Sequence, residues 1–319
     1  MTKKALACVL AGGMILAGMS TMTAAAAENL TLATGGTTGT YYAVGGVMAT
    51  VLNPVLENSS ITVTSTGASK ANIQLIDDED ANLGIVQNDV MYYAYSGTDL
   101  FEDEGAYDTF AAVAGLYDET VQIVTTDSSI QTVADLAGKT VSVGDAGSGV
   151  EFNAKQILAA YDLSFDDIKV VNASFGDSAD SLKDGKIDAA FVVAGAPTTA
   201  VVDLSTVKDI SLVQLDEEHI EKLQQNYDFY TKTVIPEGTY TGVGDATTVS
   251  VRATLIASVD TDEEVIYELL KAMFDNQEAL IAGHAKFEFL NLEDAVKGIS
   301  VPFHAGAVKY YGEQGIEVE

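Results

Sequence analysis

Gly35, Gly36 and Gly39, interleaved with Thr37, Thr38 and Thr40, join a strand-like segment to a run that can open a helix, in the stretch LTLATGGTTGTYYAVGG (30–46). Such residues at such a junction suit anion binding. The first amides of a helix have no partner within it, the macrodipole is positive there, and small residues let a ligand reach the backbone. A second stretch, TVSVGDAGSGVEFNAKQIL (140–158), repeats the plan with Gly144, Gly147 and Gly149 around Ser148. Neither loop is a nucleotide motif. A P-loop needs glycine and lysine after four intervening residues, whereas Thr40 stands at that place after Gly35 and the loop holds no lysine. The dinucleotide spacing G-x-G-x-x-G also fails, since Phe152 occupies the last glycine's position in the second loop. Ala146, two residues before Ser148, removes a G-x-S-x-G nucleophile elbow.

Other chemistry is thin. His219, His284 and His304 are scattered without metal-ligand spacing, and His304 reads as a capping or packing residue near the last helix. Among 47 acidic residues any carboxylate pair could be drawn up as a dyad, so that signal selects nothing. No metal, no cofactor and no catalytic group is expected. The tyrosines of MYYAYSG (91–97) read as helix packing.

The elements that position the loops alternate strand and helix, which predicts an α/β fold with largely parallel strands. NLTLAT, ITVTST, NLGIVQ, TVSVGD, IKVVNA and IDAAFVVA read as strands; Tyr41 to Leu52, a segment from Lys70, and Val265 to Leu280 read as helices. Two long proline-free strands, Phe110–Thr126 and Thr247–Val259, read as crossings between lobes. Lobe I is then discontinuous, residues 28–119 and 252–319, and lobe II is residues 120–251. Each lobe carries one glycine loop, so two helix N-termini facing across the cleft form an anion clamp built without arginine, of which the chain has only Arg252.

A chain of 319 residues with 47% hydrophobic content can bury a large core. Lys3 and Lys4, the apolar run from Ala5 to Ala17 and the small residues to Ala27 form the pattern of a secretory signal peptide, residues 1–27. Its removal takes Cys8, the one cysteine, leaving a chain without disulfides. It also takes two lysines and no acid, so the net charge goes from -31 to -33. Nucleic acid is excluded as a partner, because phosphate contacts need a basic face. Acidic runs such as Asp77–Asp80 read as solvated loops.

Taken in order, the segments ATGGTTGTYYAVGG, IVQNDVMYYAYSGTDLFE, AVAGLYDETVQIV, VADLAGKTVSVGDAGSGVEFNAKQIL, LKDGKIDAAFVVAGAPTTAVVDL, VIPEGTYTG and ISVPFHAGAVKYY give the mature chain a resemblance to the TAXI-type solute-binding subunits of TRAP transporters. The resemblance implies a two-lobed, type II flytrap fold of the periplasmic binding proteins, with two hinge-crossing strands. It implies a periplasmic receptor, monomeric and not an enzyme, that hands a small organic acid or amino acid (glutamate, glutamine or a dicarboxylate) to TRAP permease membrane subunits. The ligand-binding residues it implies are Gly36, Thr37, Gly39, Thr40 and Tyr41 in the first loop and Ser148, Gly149 and Val150 in the second. Gln87, Phe191, Gly195, Ala196 and Pro197 complete the pocket. Gly39 is expected to serve close backbone approach or a positive φ. The chain departs from the family pattern at Ala43, Asp145, Ala146 and Val150, and Asp145 brings a negative charge to the clamp. The readings left beside transport are a ligand sensor signalling to a membrane partner and an enzyme using the same cleft.

Overall fold

The computed structural model of the chain describes residues 28–319; the expected leader, residues 1–27, lies outside them. Short apolar runs form strands β1 (Glu28–Ala33), β2 (Ser59–Thr64), β3 (Leu83–Gln87), β4 (Phe110–Thr125), β5 (Thr140–Ser142), β6 (Lys169–Val171), β7 (Ala189–Ala194), β8 (Ser211–Val213), β9 (Thr231–Ile235) and β10 (Ala246–Ser258). The helices between and after them are α1 (Thr40–Leu52), α2 (Ser69–Asp77), α3 (Asn88–Ser96), α4 (Gly149–Ala160), α5 (Phe175–Lys183), α6 (Thr199–Val207), α7 (Glu217–Asn226), α8 (Glu263–Asp275), α9 (Gln277–Gly283) and α10 (Ala305–Glu313).

The strands hydrogen-bond in the order β2-β1-β3-β10-β4-β7-β5-β6, with β8 added to β4 and β9 to β10. Pairing is parallel within β1, β2 and β3 and within β5, β6 and β7, as strand–helix–strand crossovers require. The two long strands run antiparallel, from Phe110 opposite Ser258 to Thr120 opposite Ser250. Both change partners at that end. From Thr120 onward β4 pairs with β7, and up to Ser250 β10 pairs with β9.

Buried apolar side chains divide at the same place. Leu30, Met48, Tyr117, Ala253, Leu255 and Leu269 share one core, joined by a neighbouring group around Ile73, Val86 and Phe110. Val121, Ile123, Ile157, Phe191, Val249 and Val251 share another, extended by Val124, Leu204 and Ile235. The molecule is a mixed α/β protein of two lobes joined through β4 and β10. Arg252 braces that junction, its Nη2 donating to the Asp294 carbonyl at 2.8 Å and its Nη1 3.4 Å from Asp118. The only arginine is thus spent on the hinge.

The expected single helix over Val265–Leu280 is two helices. Asn276 leaves helical geometry at φ -113°, ψ 24°, and its Nδ2 donates back to the Ala272 carbonyl at 2.8 Å. An Asn side chain offers the backbone an alternative partner, which ends α8 and starts α9. His304 caps α10, its Nδ1 accepting from the Gly306 amide at 3.2 Å while Nε2 lies 3.1 Å from the Thr261 carbonyl oxygen. No helix among the described residues is long and apolar enough to cross a membrane.

Candidate functional site

The first glycine loop is held by its carbonyls. Those of Thr34, Gly35 and Gly36 accept from Thr66 and Asn72, from Ser65, and from the Gly39 amide. The N-cap of α1, Gly39, has no side chain to offer, so the leading amides of this helix have no capping partner. Gly39 adopts φ -96°, so the expected positive φ is absent. Space explains the glycine better, since a Cβ there would lie 3.2 Å from the Gly36 oxygen and 3.6 Å from the Phe175 ring in the other lobe.

The second loop is capped differently. Ser148 is the N-cap of α4, its Oγ accepting from the Glu151 amide at 3.3 Å, and Glu151 reaches back to the Gly147 amide at 2.7 Å. That leaves the Gly149 and Val150 amides as unpaired donors and the Ser148 hydroxyl proton free to point outward. Ser148→Ala is expected to lower stability by about 1 kcal/mol through the lost cap. It should also weaken ligand binding by about 1–3 kcal/mol. Melting and calorimetry on the same preparation separate the two; affinity unchanged beside a lower midpoint would make Ser148 a cap only.

Two further helices start at the same place. Gln87 ends β3 and is the N-cap of α3, and Ala68, at the positive φ of 68° with ψ -146°, is the N-cap of α2. Gly39, Ala68, Gln87 and Ser148, the N-caps of four helices, all line one cavity of about 510 Å³ including its open mouth. Strands of an α/β sheet aim their C-terminal ends, and hence the following helix N-termini, at one edge. Facing lobes therefore concentrate positive dipole ends in the gap. The lobes meet there: Thr40 Oγ1 donates to the Gly195 carbonyl at 3.1 Å, and a Cβ on Gly149 would stand 1.9 Å from Gln87 Oε1.

Against this positive field stand two carboxyls. Glu119, in β4 at the lobe crossing, lines the cavity, is 2% exposed, and accepts from the Tyr41 hydroxyl at 2.7 Å. Burial pushes its pKa up to about 8, the Tyr41 bond and the Lys286 charge opposing and Asp89 adding to the rise. Asp145, also in the lining, is raised by burial and by Asp177. Lys286 lies over the Phe289 ring, 5.3 Å from its centroid, and burial lowers its pKa.

Of the residues expected in the pocket, Gly36, Gly39, Thr40, Tyr41, Gln87, Ser148, Gly149 and Val150 line this cavity. Thr37 is exposed outside it. Phe191 belongs to the lobe II core, paired with Ile123 back from the end of β7; Val193, which shares that core face, and Ala194 stand at the strand's C-terminal end and reach the cavity. Gly195 contributes its carbonyl to Thr40, while Ala196 and exposed Pro197 lie beyond the lining. Sequence reasoning missed Glu119, Ser69, Ala68 and Phe175. Glu119 had a signal: an acid inside an apolar crossing strand is costly to bury and so needs a reason.

Beside the cavity, α3 and α4 are tied by a buried polar chain. Asn153 Nδ2 lies 2.9 Å from Asp89 Oδ2 and 2.7 Å from the Tyr230 hydroxyl. Tyr230 donates to Gln156 Oε1 at 2.6 Å, and Gln156 Nε2 donates to the Tyr93 hydroxyl at 3.1 Å. Burial lifts Asp89 to about 6. Asn153→Ala leaves that carboxyl without its partner from the other lobe and is expected to weaken closure by about 1–3 kcal/mol. Small-angle scattering should show a larger radius of gyration; an unchanged radius would mean that closure does not depend on this link.

Known structures share this architecture at low sequence identity. A protein of Bordetella bronchiseptica RB50 superposes with a TM-score of 0.54 at 16% identity, over 89% of each chain. A putative L-cystine ABC transporter protein of Listeria monocytogenes gives 0.51 at 15%, over 82% of this chain and 95% of that one. The alkanesulfonate-binding protein SsuA of Xanthomonas axonopodis pv. citri, bound to MOPS, gives 0.49 at 16%, over 91% and 92%. The fold is the two-lobed periplasmic-binding-protein fold of type II. Residues 32–315, nearly the whole described chain, match one family throughout, and the protein belongs to the NMT1-like family.

Proposed function

We propose that this chain is an extracytoplasmic solute-binding receptor, exported by residues 1–27 to the periplasm, that closes its two lobes on a small carboxylate or amino acid and delivers it to a membrane transporter. The lobes are residues 28–119 with 252–319, and residues 120–251. One observation carries the reading: the N-caps of four helices, three from one lobe and one from the other, line a single cavity. A carboxylate there can accept from both lobes only when they are closed, so binding shifts the population toward the closed state. In this reading Ser148 serves as a helix cap and ligand donor, its Oγ accepting from the Glu151 amide.

The TAXI-type motifs favour a TRAP permease as the transporter. The fold shared with the Listeria protein, described as an ABC transporter component, supports an ABC importer as the second reading. A thermal-shift screen with an extrinsic dye, needed because the chain has no tryptophan, tests the receptor reading. A ligand at a hundred times its dissociation constant adds about 2.7 kcal/mol. Uptake into vesicles carrying the candidate permease then separates the transporters: an ion gradient without ATP drives a TRAP system, and dependence on ATP indicates the ABC system.

A further inference from the structure

Resting on that receptor reading, we propose that the solute carries an ammonium group beside its carboxylate, with Glu119 as the ammonium's counter-charge, so that a zwitterionic amino acid binds and its deaminated counterpart is turned away.

The cavity lining supports both ends of such a ligand. Its positive features are backbone amides at helix starts, which suit a carboxylate. Its charged side chains are carboxyls only, Glu119 and Asp145, with no Lys, Arg or His among them. Glu119 receives one protein hydrogen bond, from Tyr41 to Oε2. A second buried acceptor, Gln87 Oε1, has no donor at all, although Gln87 is 2% exposed and lines the same space. Buried acceptors left without donors are costly. An ammonium supplies up to three donors and one positive charge.

Donors decide between ligand classes. A dicarboxylate brings none for Gln87 Oε1 or for Glu119 beyond its Tyr41 bond, and its second negative charge meets no Lys, Arg or His in the lining. An amino acid neutralises Glu119 with its ammonium while its carboxylate meets the amides. Near neutral pH the empty site holds Glu119 protonated. Binding of the ammonium ionises it and releases that proton to solvent. Tyr41, Tyr117, Asp89 and Lys286 are the other ionisable groups acting on or acted on by Glu119. The tyrosines among them are held far above their usual range by burial and stay neutral.

The test screens the purified protein against the twenty amino acids and a panel of mono- and dicarboxylates by thermal shift, then measures each hit beside its deaminated match. L-glutamate pairs with glutarate, L-glutamine with glutaramate, and L-alanine with propionate. At least one amino acid should bind a hundredfold or more tighter than its match. Glu119→Gln, which keeps an oxygen for the Tyr41 hydroxyl, should cost that amino acid at least thirtyfold in affinity without lowering the ligand-free melting temperature. Calorimetry of the unaltered protein in two buffers of different ionisation enthalpy should show proton release at pH 6.5, and this reading stands even if the variant fails to fold. A carboxylate binding within tenfold of its amino acid, or Glu119→Gln binding within threefold of the parent, overturns the ammonium assignment and leaves the receptor reading intact. So does a carboxylate hit with no amino-acid hit. Silence from both panels overturns both.

Discussion

Gly149→Val is expected to weaken ligand binding about 100-fold while each lobe stays folded. The first residue of α4 passes so close to the other lobe that a Cβ would stand 1.9 Å from Gln87 Oε1, 2.6 Å from its Cδ and 3.1 Å from Val90 Cγ2. Gln87 is 2% exposed, so moving it aside needs other buried groups to shift. Overpacking of this kind costs about 1–3 kcal/mol, and 1.4 kcal/mol is tenfold in affinity. The cost arises only where the lobes touch. In the open form valine faces the empty cleft, and a first-turn helix position tolerates it. The substitution therefore selects the open state. Calorimetry should show the lost affinity, and scattering should show a particle that stays extended when solute is added. Binding within threefold of the parent, with the variant folded, would mean that the ligand is not held between Gly149 and Gln87.

The second large effect is on stability against pH. In the ligand-free protein, burial lifts the Glu119 carboxyl from the ordinary 4.5 to about 8. Between those values the unfolded chain has released the proton and the folded chain keeps it. The folded state binds more protons, so stability falls as pH rises, by up to about 1.4 kcal/mol per pH unit. Below the ordinary value both states are protonated and Glu119 costs nothing by ionisation. Above about pH 8 the full penalty applies, on the order of 5 kcal/mol. Asp89 adds a fall of the same sign between 3.8 and about 6. Glu119→Gln removes its share, so urea midpoints at pH 5 and pH 8.5 should lie closer together in the variant than in the parent. Self-repulsion from the net negative charge acts on both proteins alike and cancels in the comparison. An equal fall in parent and variant would show that Glu119 is ionised in the folded protein across the whole range. A site that destabilises its own empty state in this way gains most from a ligand that supplies the missing charge.

The two effects draw on different parts of the chain, and these were unequally visible beforehand. Gly149 sits in a strand–loop–helix stretch whose composition is local: glycines, a capping serine and an apolar strand before them. Strand and helix periodicity likewise sets out β1 to β3, α1, β7 and the two long crossings, because backbone pairing and side-chain alternation are written into neighbouring residues. The break at Asn276 is local as well, yet one polar side chain turning back on its own helix is hard to tell from one facing water.

Glu119 is the opposite case. Among 47 acidic residues nothing in its neighbours sets it apart except the apolar strand around it. Its burial comes from Tyr41, which is 78 positions away, and from the partner change of β4 and β10 at the lobe junction. On β7 it is distance along the strand that counts: Val193 shares Phe191's core face, yet only the C-terminal end, Val193 and Ala194, reaches the cavity. By itself, then, the sequence determined the α/β alternation, the two crossing strands and both glycine-loop helix starts, because each depends on residues a few positions apart. Only the tertiary structure decided that four helix starts share one cavity and that a buried, proton-holding carboxyl stands among them. Burial and charge at a point in space are set by segments brought together from across the chain, and a linear pattern does not carry that distance.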